Sequence, residues 1–302
     1  MAENRRGTAP AGGLGARVAA WLLHAVGDPP LRVALWNGDE IGPEEAVGTV
    51  RLRDRGALWR LARDPALEAG DLYSEGRIEL EGDLVALLRA AYQADLEQGP
   101  WRRWLWGMPR NDVRRARANA RHHYDVGNEF YSLWLDERMV YTCAYFSHRG
   151  DTLEEAQRAK LEHVCRKLDL RPGERVIEVG SGWGALALHM ARCHGVTVRA
   201  FNVSSEQVAW AREQAEKQGL ADRVEFIEDD YRNLTGRCEK LVSVGMLEHV
   251  GPRQYPELGA VIDRALEPHG LALLHSIGRS RPAPLQRWIA QRIFPNAHPP
   301  TL

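Results

Sequence analysis

The sequence predicts a doubly wound α/β domain over residues 126–302, preceded by a small α+β domain, and three observations carry that reading. From residue 152 onward, short apolar strand patterns alternate with helical ones. A glycine-rich turn, Gly180-Ser181-Gly182-Trp183-Gly184-Ala185, stands directly after the first of those strands. The polar clusters that follow the later strands then fall on one edge of the sheet, where open α/β sheets bind ligands. A length of 302 residues with 44% apolar content suits one large domain and one smaller one.

Taken in order, residues 1–15 are rich in Gly, Ala and Arg without periodicity and read as a mobile tail. Alternating apolar residues from Leu31 approach Asn37-Gly38, a dipeptide suited to a type I′ hairpin, and 49–52 supply a further strand. Helical patterns follow at 57–62 and 83–92, so 16–98 form the small α+β domain. The stretch 101–121, WRRWLWGMPRNDVRRARANAR, sets three tryptophans and seven arginines against one aspartate. It marks 99–125 as a basic connector that either meets an anionic membrane surface or packs its tryptophans into an interdomain groove. Thr152 and Glu155 form a capping box for a helix reaching about Leu168. Strands are expected near 175–179, 197–201, 224–227, 240–245 and 270–275, short and apolar as in a parallel sheet covered on both faces.

Composition narrows the context. Forty basic residues against forty-one acidic ones give a net charge of −1, so no nucleic-acid partner is expected. The four cysteines, Cys143, Cys165, Cys193 and Cys238, show no C-x-x-C pairing, which suits a reducing, cytoplasmic compartment. No apolar run of about 18 residues marks a membrane span. No metal site is expected either. His122, His163, His189, His194 and His249 have no acid partner at a readable spacing and read as structural, and Cys143, Glu248 and His275 lack zinc-site spacing.

The glycine turn fits the relaxed dinucleotide pattern G-x-G-x-x-A, but a nicotinamide or flavin site would add an acidic residue at the end of the second strand. Phe201 and Asn202 stand there instead. Two residues before the first glycine comes Glu178, a carboxylate in a strand buried on both faces, which must meet something cationic or rich in donors. The amino group of S-adenosylmethionine satisfies that need, and E-x-G-x-G-x-G after a strand points to a methyltransferase. A salt bridge to a helix is the structural alternative. Gly180–Gly184, Asn202, Ser204, Gln207, Asp230, Tyr231, Glu248 and His275 share the same predicted edge.

At these residues the sequence resembles the cyclopropane-fatty-acyl-phospholipid synthase and mycolic acid cyclopropane synthase family of lipid methyltransferases. The matching strings are HYDVGNEFYSLWLD (123–136), YTCAYF (141–146), TLEEAQRAKLEHVCRKL (152–168), VIEVGSGWGALA (176–187), GMLEHVG (245–251), LLHSIG (273–278) and IFPN (293–296). The resemblance implies a Rossmann-like class I methyltransferase domain, truncated at its C-terminus because the family's sheet continues past the point where this sequence stops. It also implies that a tyrosine of that later region, which helps hold the family's anion, has no counterpart here. By the same resemblance Tyr141, Thr142, Gly180, Ser181, Gly182, Gly184, Asn202, Ser204, Gln207, Asp230 and Tyr231 contact the cofactor, with Asn202 in place of the usual threonine.

The implied reaction adds a methylene across a cis double bond of an unsaturated phospholipid acyl chain, with bound bicarbonate as the base. Cys143, Glu248, His275 and, through its backbone, Ile277 match the residues that cradle it. Tyr124, Tyr145 and Phe146 are placed to offer ring faces to a developing cation. The implied setting is a homodimer, peripheral on the inner membrane surface. Two alternatives stay open: a related lipid C-methyltransferase making methyl-branched or methylene fatty acids, and an inactive lipid-binding or partner subunit.

Overall fold

The computed structural model describes residues 13–93, 127–282, 285–295 and 297–301. The tail up to residue 12 and the connector 99–125, with Tyr124 and His122, lie outside the described residues. The described residues form two units, one of 13–93 with Gln286–Arg292 and one of the remainder.

In the first unit, helix α1 (Leu14–Ala25) begins inside the stretch read as a tail, with Ala16 and Ala19 buried. Strands β1 (Arg32–Ala34), β2 (Glu40–Ile41), β3 (Gly48–Leu52) and β4 (Ile78–Gly82) form a sheet of order β2-β1-β3-β4, parallel only between β1 and β3. The β1–β2 turn departs from type I′. Leu35 N donates to Asp39 O and Gly38 N to Leu35 O, and of the loop residues only Gly38 has positive φ, at 89°. A three-residue loop ending in a left-handed glycine needs one such position where type I′ needs two.

Helices α2 (Arg55–Arg63), α3 (Pro65–Ser74) and α4 (Leu84–Gln93) complete the unit. Asp54 caps α2 by accepting from Ala57 N, and Asp64 caps α3 with Pro65 in its first turn. The buried Glu68 accepts from Arg60 Nε and Arg63 Nη2, both at 2.6 Å. The segment Gln286–Arg292 packs on α3, where Trp288 Nε1 donates to Asp71 Oδ1 at 2.9 Å over Gly70. A Cβ at Gly70 would lie 2.6 Å from the indole.

The second unit starts with α5 (Asn128–Ser132) and α6 (Leu153–Leu168), whose predicted capping box is complete: Glu155 N donates to Thr152 Oγ1 and Thr152 N to Glu155 Oε2. There follow β5 (Arg175–Val179), α7 (Ala185–His194), β6 (Thr197–Asn202), α8 (Ser205–Lys217), β7 (Val224–Glu228), β8 (Cys238–Val244), α9 (Leu247–Val250), α10 (Tyr255–Ala265) and β9 (Leu266–His275). The five strands are all parallel in the order β7-β6-β5-β8-β9. The fifth strand opens four residues earlier than expected. Its LEPHG start is a bulge, with Leu266 opposite Cys238 but Leu271 already opposite Lys240, and His269 at φ 72°.

The doubly wound reading holds. Alternate residues of the central strands serve opposite faces: Val176, Val198 and Ala200 join the core with α6, α7 and α8, while Ile177 and Phe201 join the core with α10. Coverage on both faces is why these strands are apolar at nearly every position. The chain order reverses on either side of β5, so the turn after it lies at the switch point where such sheets bind ligands.

Candidate functional site

The turn after β5 is drawn onto β6, since Gly180 N and Ser181 N both donate to Phe201 O, at 2.9 and 3.2 Å. Gly184 has φ 87°, and a Cβ there would come within 2.6 Å of the Phe226 ring, so only glycine lets the chain turn into α7 against β7. Asn202 braces the loop: its Nδ2 donates to Gly182 O at 3.0 Å and to Gln207 Oε1 at 2.8 Å, and its Oδ1 accepts from Ser204 N. The amide expected to reach a cofactor hydroxyl is thus spent holding the glycine turn to the start of α8. Ser204 caps that helix through Gln207 N.

Three buried polar atoms beside this turn have no hydrogen-bond partner among the described residues: Glu178 Oε2, Ser181 Oγ and Gln207 Nε2. Each such orphan costs about 1–3 kcal/mol. An acceptor carboxylate, a hydroxyl and an amide donor at one strand edge fit an amine together with ribose hydroxyls, and the N–H groups opening α7 face the same turn. The donor set therefore suits S-adenosylmethionine. Asp230 and Tyr231 are differently placed. The Asp230 carboxylate accepts from Arg232 N, Nε and Nη2 at 3.0, 2.8 and 3.1 Å, and the Tyr231 ring is packed in the core on the α10 side.

Burial pushes the Glu178 carboxyl up to about 8, against the attraction of Lys160 and the Ala187 N–H. A carboxyl raised in this way favours the fold fully only below its unfolded value near 4.5, and that contribution is lost as pH climbs through about 8. Glu178→Gln is therefore expected to gain stability relative to the parent as pH rises from about 5 to about 8, and to gain no more beyond. Thermal unfolding of both proteins across that range reads it, and a gap that does not change with pH would refute it.

The second cluster is assembled across the sheet. Val244 is paired with His275, and Gly245 N donates to His275 O at 2.9 Å, so the ends of β8 and β9 stay together. Gly245, at φ 72°, leaves room for Thr142, whose Cγ2 would lie 2.7 Å from a Cβ there. This close approach carries Cys143 Sγ to 4.0 Å from His275 Nε2. From α9, Glu248 Oε1 accepts the Ile277 N–H at 2.5 Å. The Ile277 amide, expected to hold an anion directly, instead fixes Glu248. Glu248 Oε2 and His275 Nδ1 remain buried without a partner among the described residues.

Sequence reasoning missed two side chains here. Lys160 lies on the buried stripe of α6 with Ala156, Gln157 and Val164, and a lysine in that stripe was the available signal. Its Nζ donates to Thr142 Oγ1 at 2.8 Å, and burial pulls it down to about 8. Gln157 holds the same strip, donating to Val140 O and Thr142 O. The other is Trp183, buried against Tyr131 and Tyr141 at ring separations of 5.0 and 6.4 Å, with Nε1 donating to Asn128 Oδ1 at 2.7 Å. Of the aromatic candidates for cation stabilisation, Tyr145 stacks on His163 at 4.9 Å, and Tyr145 and Phe146 are exposed.

Residues 111–302 match the family described as mycolic acid cyclopropane synthetase. The chain is 37% identical over 290 residues to a probable fatty acid methyltransferase of Pseudomonas putida, covering 90% of this chain and 72% of that protein. It is 44% identical over 190 residues to the cyclopropane-fatty-acyl-phospholipid synthase of Escherichia coli K12, covering 63% of this chain and 48%, about half, of that enzyme. The solved structure of mycolic acid cyclopropane synthase CmaA1 complexed with SAH and CTAB matches with a TM-score of 0.58 at 29% identity, covering 61% of this chain and 70% of that one.

Proposed function

This chain belongs to the mycolic acid cyclopropane synthetase family of S-adenosylmethionine-dependent methyltransferases, and from that premise we propose that it makes cyclopropane fatty acids. It transfers a methylene group from S-adenosylmethionine to the cis double bond of an unsaturated phospholipid acyl chain. The observation that carries this reading is the contact of Cys143 with His275 and the hold of Glu248 on the Ile277 N–H two residues further on, with Glu248 Oε2 and His275 Nδ1 buried without a partner among the described residues.

S-adenosylmethionine supplies an electrophilic methyl group when bound. Glu178, Ser181 and Gln207 would hold its amine and hydroxyls, while Lys160 and Gln157 hold the strip from Val140 to Thr142 in place. Closing a three-membered ring also requires a base for one proton of the added carbon. Bicarbonate would suit the role of that base, being an anion with one O–H whose partners could be an unpaired ring nitrogen that donates and an unpaired carboxylate oxygen that accepts. His275 and Cys143 would hold it and Glu248 would receive its hydrogen bond, with Ile277 keeping Glu248 in position. CTAB, bound by the neighbour CmaA1, is a long-chain amphiphile and supports an acyl-chain substrate.

A related lipid methyltransferase giving methyl-branched or methylene products is the second reading, favoured by the Pseudomonas relative's name. We also place the chain at a membrane surface. Phe130, Leu133 and Trp134 expose 46, 80 and 46% of their area on and just after α5, and no helix among the described residues is long and apolar enough to cross a membrane. The test incubates the protein with labelled S-adenosylmethionine, bicarbonate and vesicles of monounsaturated phospholipid, followed by mass spectrometry and NMR of the acyl chains. Cyclopropane protons are expected. Methyl or methylene signals would select the second reading, and cofactor binding with no product an inactive partner subunit.

A further inference from the structure

A group of metal-capable side chains meets far from the glycine turn, where α6 packs on α7. Cys165 Sγ and one ring nitrogen each of His189 and His194 all lie within 4.8 Å of one another. Glu162 Oε2 sits 3.3 Å from His189 Nε2 and 3.1 Å from His194 Nε2. Glu162 and Cys165 are three apart on one face of α6, and His189 and His194 are five apart at the end of α7, His194 being its last residue. His194 lies nine residues from the start of α7, roughly 13 Å along its axis from the cofactor turn.

We propose that Cys165, His189 and His194 form a binding site for a zinc-class divalent cation that staples α6 to α7, with water completing the coordination and Glu162 beside it as the partner of the two histidines. The three ligand atoms lie within 4.8 Å of one another, and a tetrahedral ion with bonds of about 2.0–2.3 Å draws neighbouring ligand atoms to about 3.3–3.7 Å. One thiolate and two imidazoles select zinc over the oxygen-seeking magnesium or calcium. Cys165 is fully buried, the histidine side chains are 10 and 19% exposed, and Glu162 at 41% gives the ion its way in. The negative end of the α7 dipole favours a cation at that position. On binding, the Cys165 thiol gives up its proton to solvent and its sulfur takes the metal bond, so charge and atoms balance.

The test strips the full chain with a chelator and titrates it with Zn²⁺ against a chromophoric competitor, with Co²⁺ as a spectroscopic probe. One equivalent per chain is expected, with a thiolate-to-cobalt charge-transfer band and a rise in melting temperature on adding zinc. His194→Gln and His189→Gln are expected to lose the stoichiometric equivalent and the zinc-dependent rise. Both replace partly exposed side chains, so the test does not depend on altering buried Cys165. Methyl transfer should be unchanged in either variant. Absence of stoichiometric uptake, equal uptake by the variants, or bound cobalt without a thiolate band would overturn the proposal and leave Glu162 as an ion-pair partner of the two histidines.

Discussion

Glu248→Gln is expected to lower turnover by about 10²- to 10⁴-fold while leaving S-adenosylmethionine affinity nearly unchanged. The substitution is nearly isosteric, and a glutamine Oε1 can still accept the Ile277 N–H that Glu248 accepts at 2.5 Å. What changes is the second position. Glu248 Oε2, buried without a partner among the described residues, is an acceptor, and an amide nitrogen there is a donor. If that oxygen raises the basicity of the group that removes the proton, reversing its polarity removes about 3–5 kcal/mol of transition-state stabilisation. Turnover on unsaturated vesicles and calorimetric titration with the cofactor separate the two quantities. A parallel loss of both would show that Glu248 shapes the cofactor site and does not act on the proton.

The sheet and its candidate ligand edge were legible because the sequence concentrates local signals there. Strand, glycine turn and helix follow one another within 176–194, and Glu178 is conspicuous as a charge in an apolar strand. The capping box at Thr152 needs only four residues to be read and forms as expected. What escaped depends on two distant elements. Trp183 reads as one aromatic in a turn, and nothing local reveals that Tyr131 and Tyr141 close over it. Lys160 and the Cys165–His189–His194 group lie on helix faces whose neighbours are fixed only by packing. The roles expected of Asn202 and Asp230 changed for a related reason, since partners inside the protein, Gly182 and Gln207 for one and Arg232 for the other, satisfy their polar atoms. The packing of Gln286–Arg292 on α3 is of the same kind, resting on Gly70 and Asp71 more than two hundred residues earlier.

The cluster around Trp183 also carries the largest expected effect on stability. Trp183 is 3% exposed and joins the buried group of Tyr131 and Met139, against which Tyr141 and Trp210 pack. Trp183→Ala leaves a cavity the size of an indole, at a cost of about 3–5 kcal/mol, a large share of the roughly 5–15 kcal/mol that holds a typical domain folded. Trp183→Phe keeps most of the packing and gives up the Nε1 bond to Asn128, about 1 kcal/mol. Denaturant unfolding should rank the three proteins in that order. The same ring seats Tyr141, which precedes Thr142 and Cys143, so Trp183→Ala should also bind S-adenosylmethionine more weakly at temperatures where it is still folded. Were the folded variant to bind the cofactor as tightly as its parent, Trp183 would be a core residue only, with Thr142 held in place by Lys160, Gln157 and the room left at Gly245.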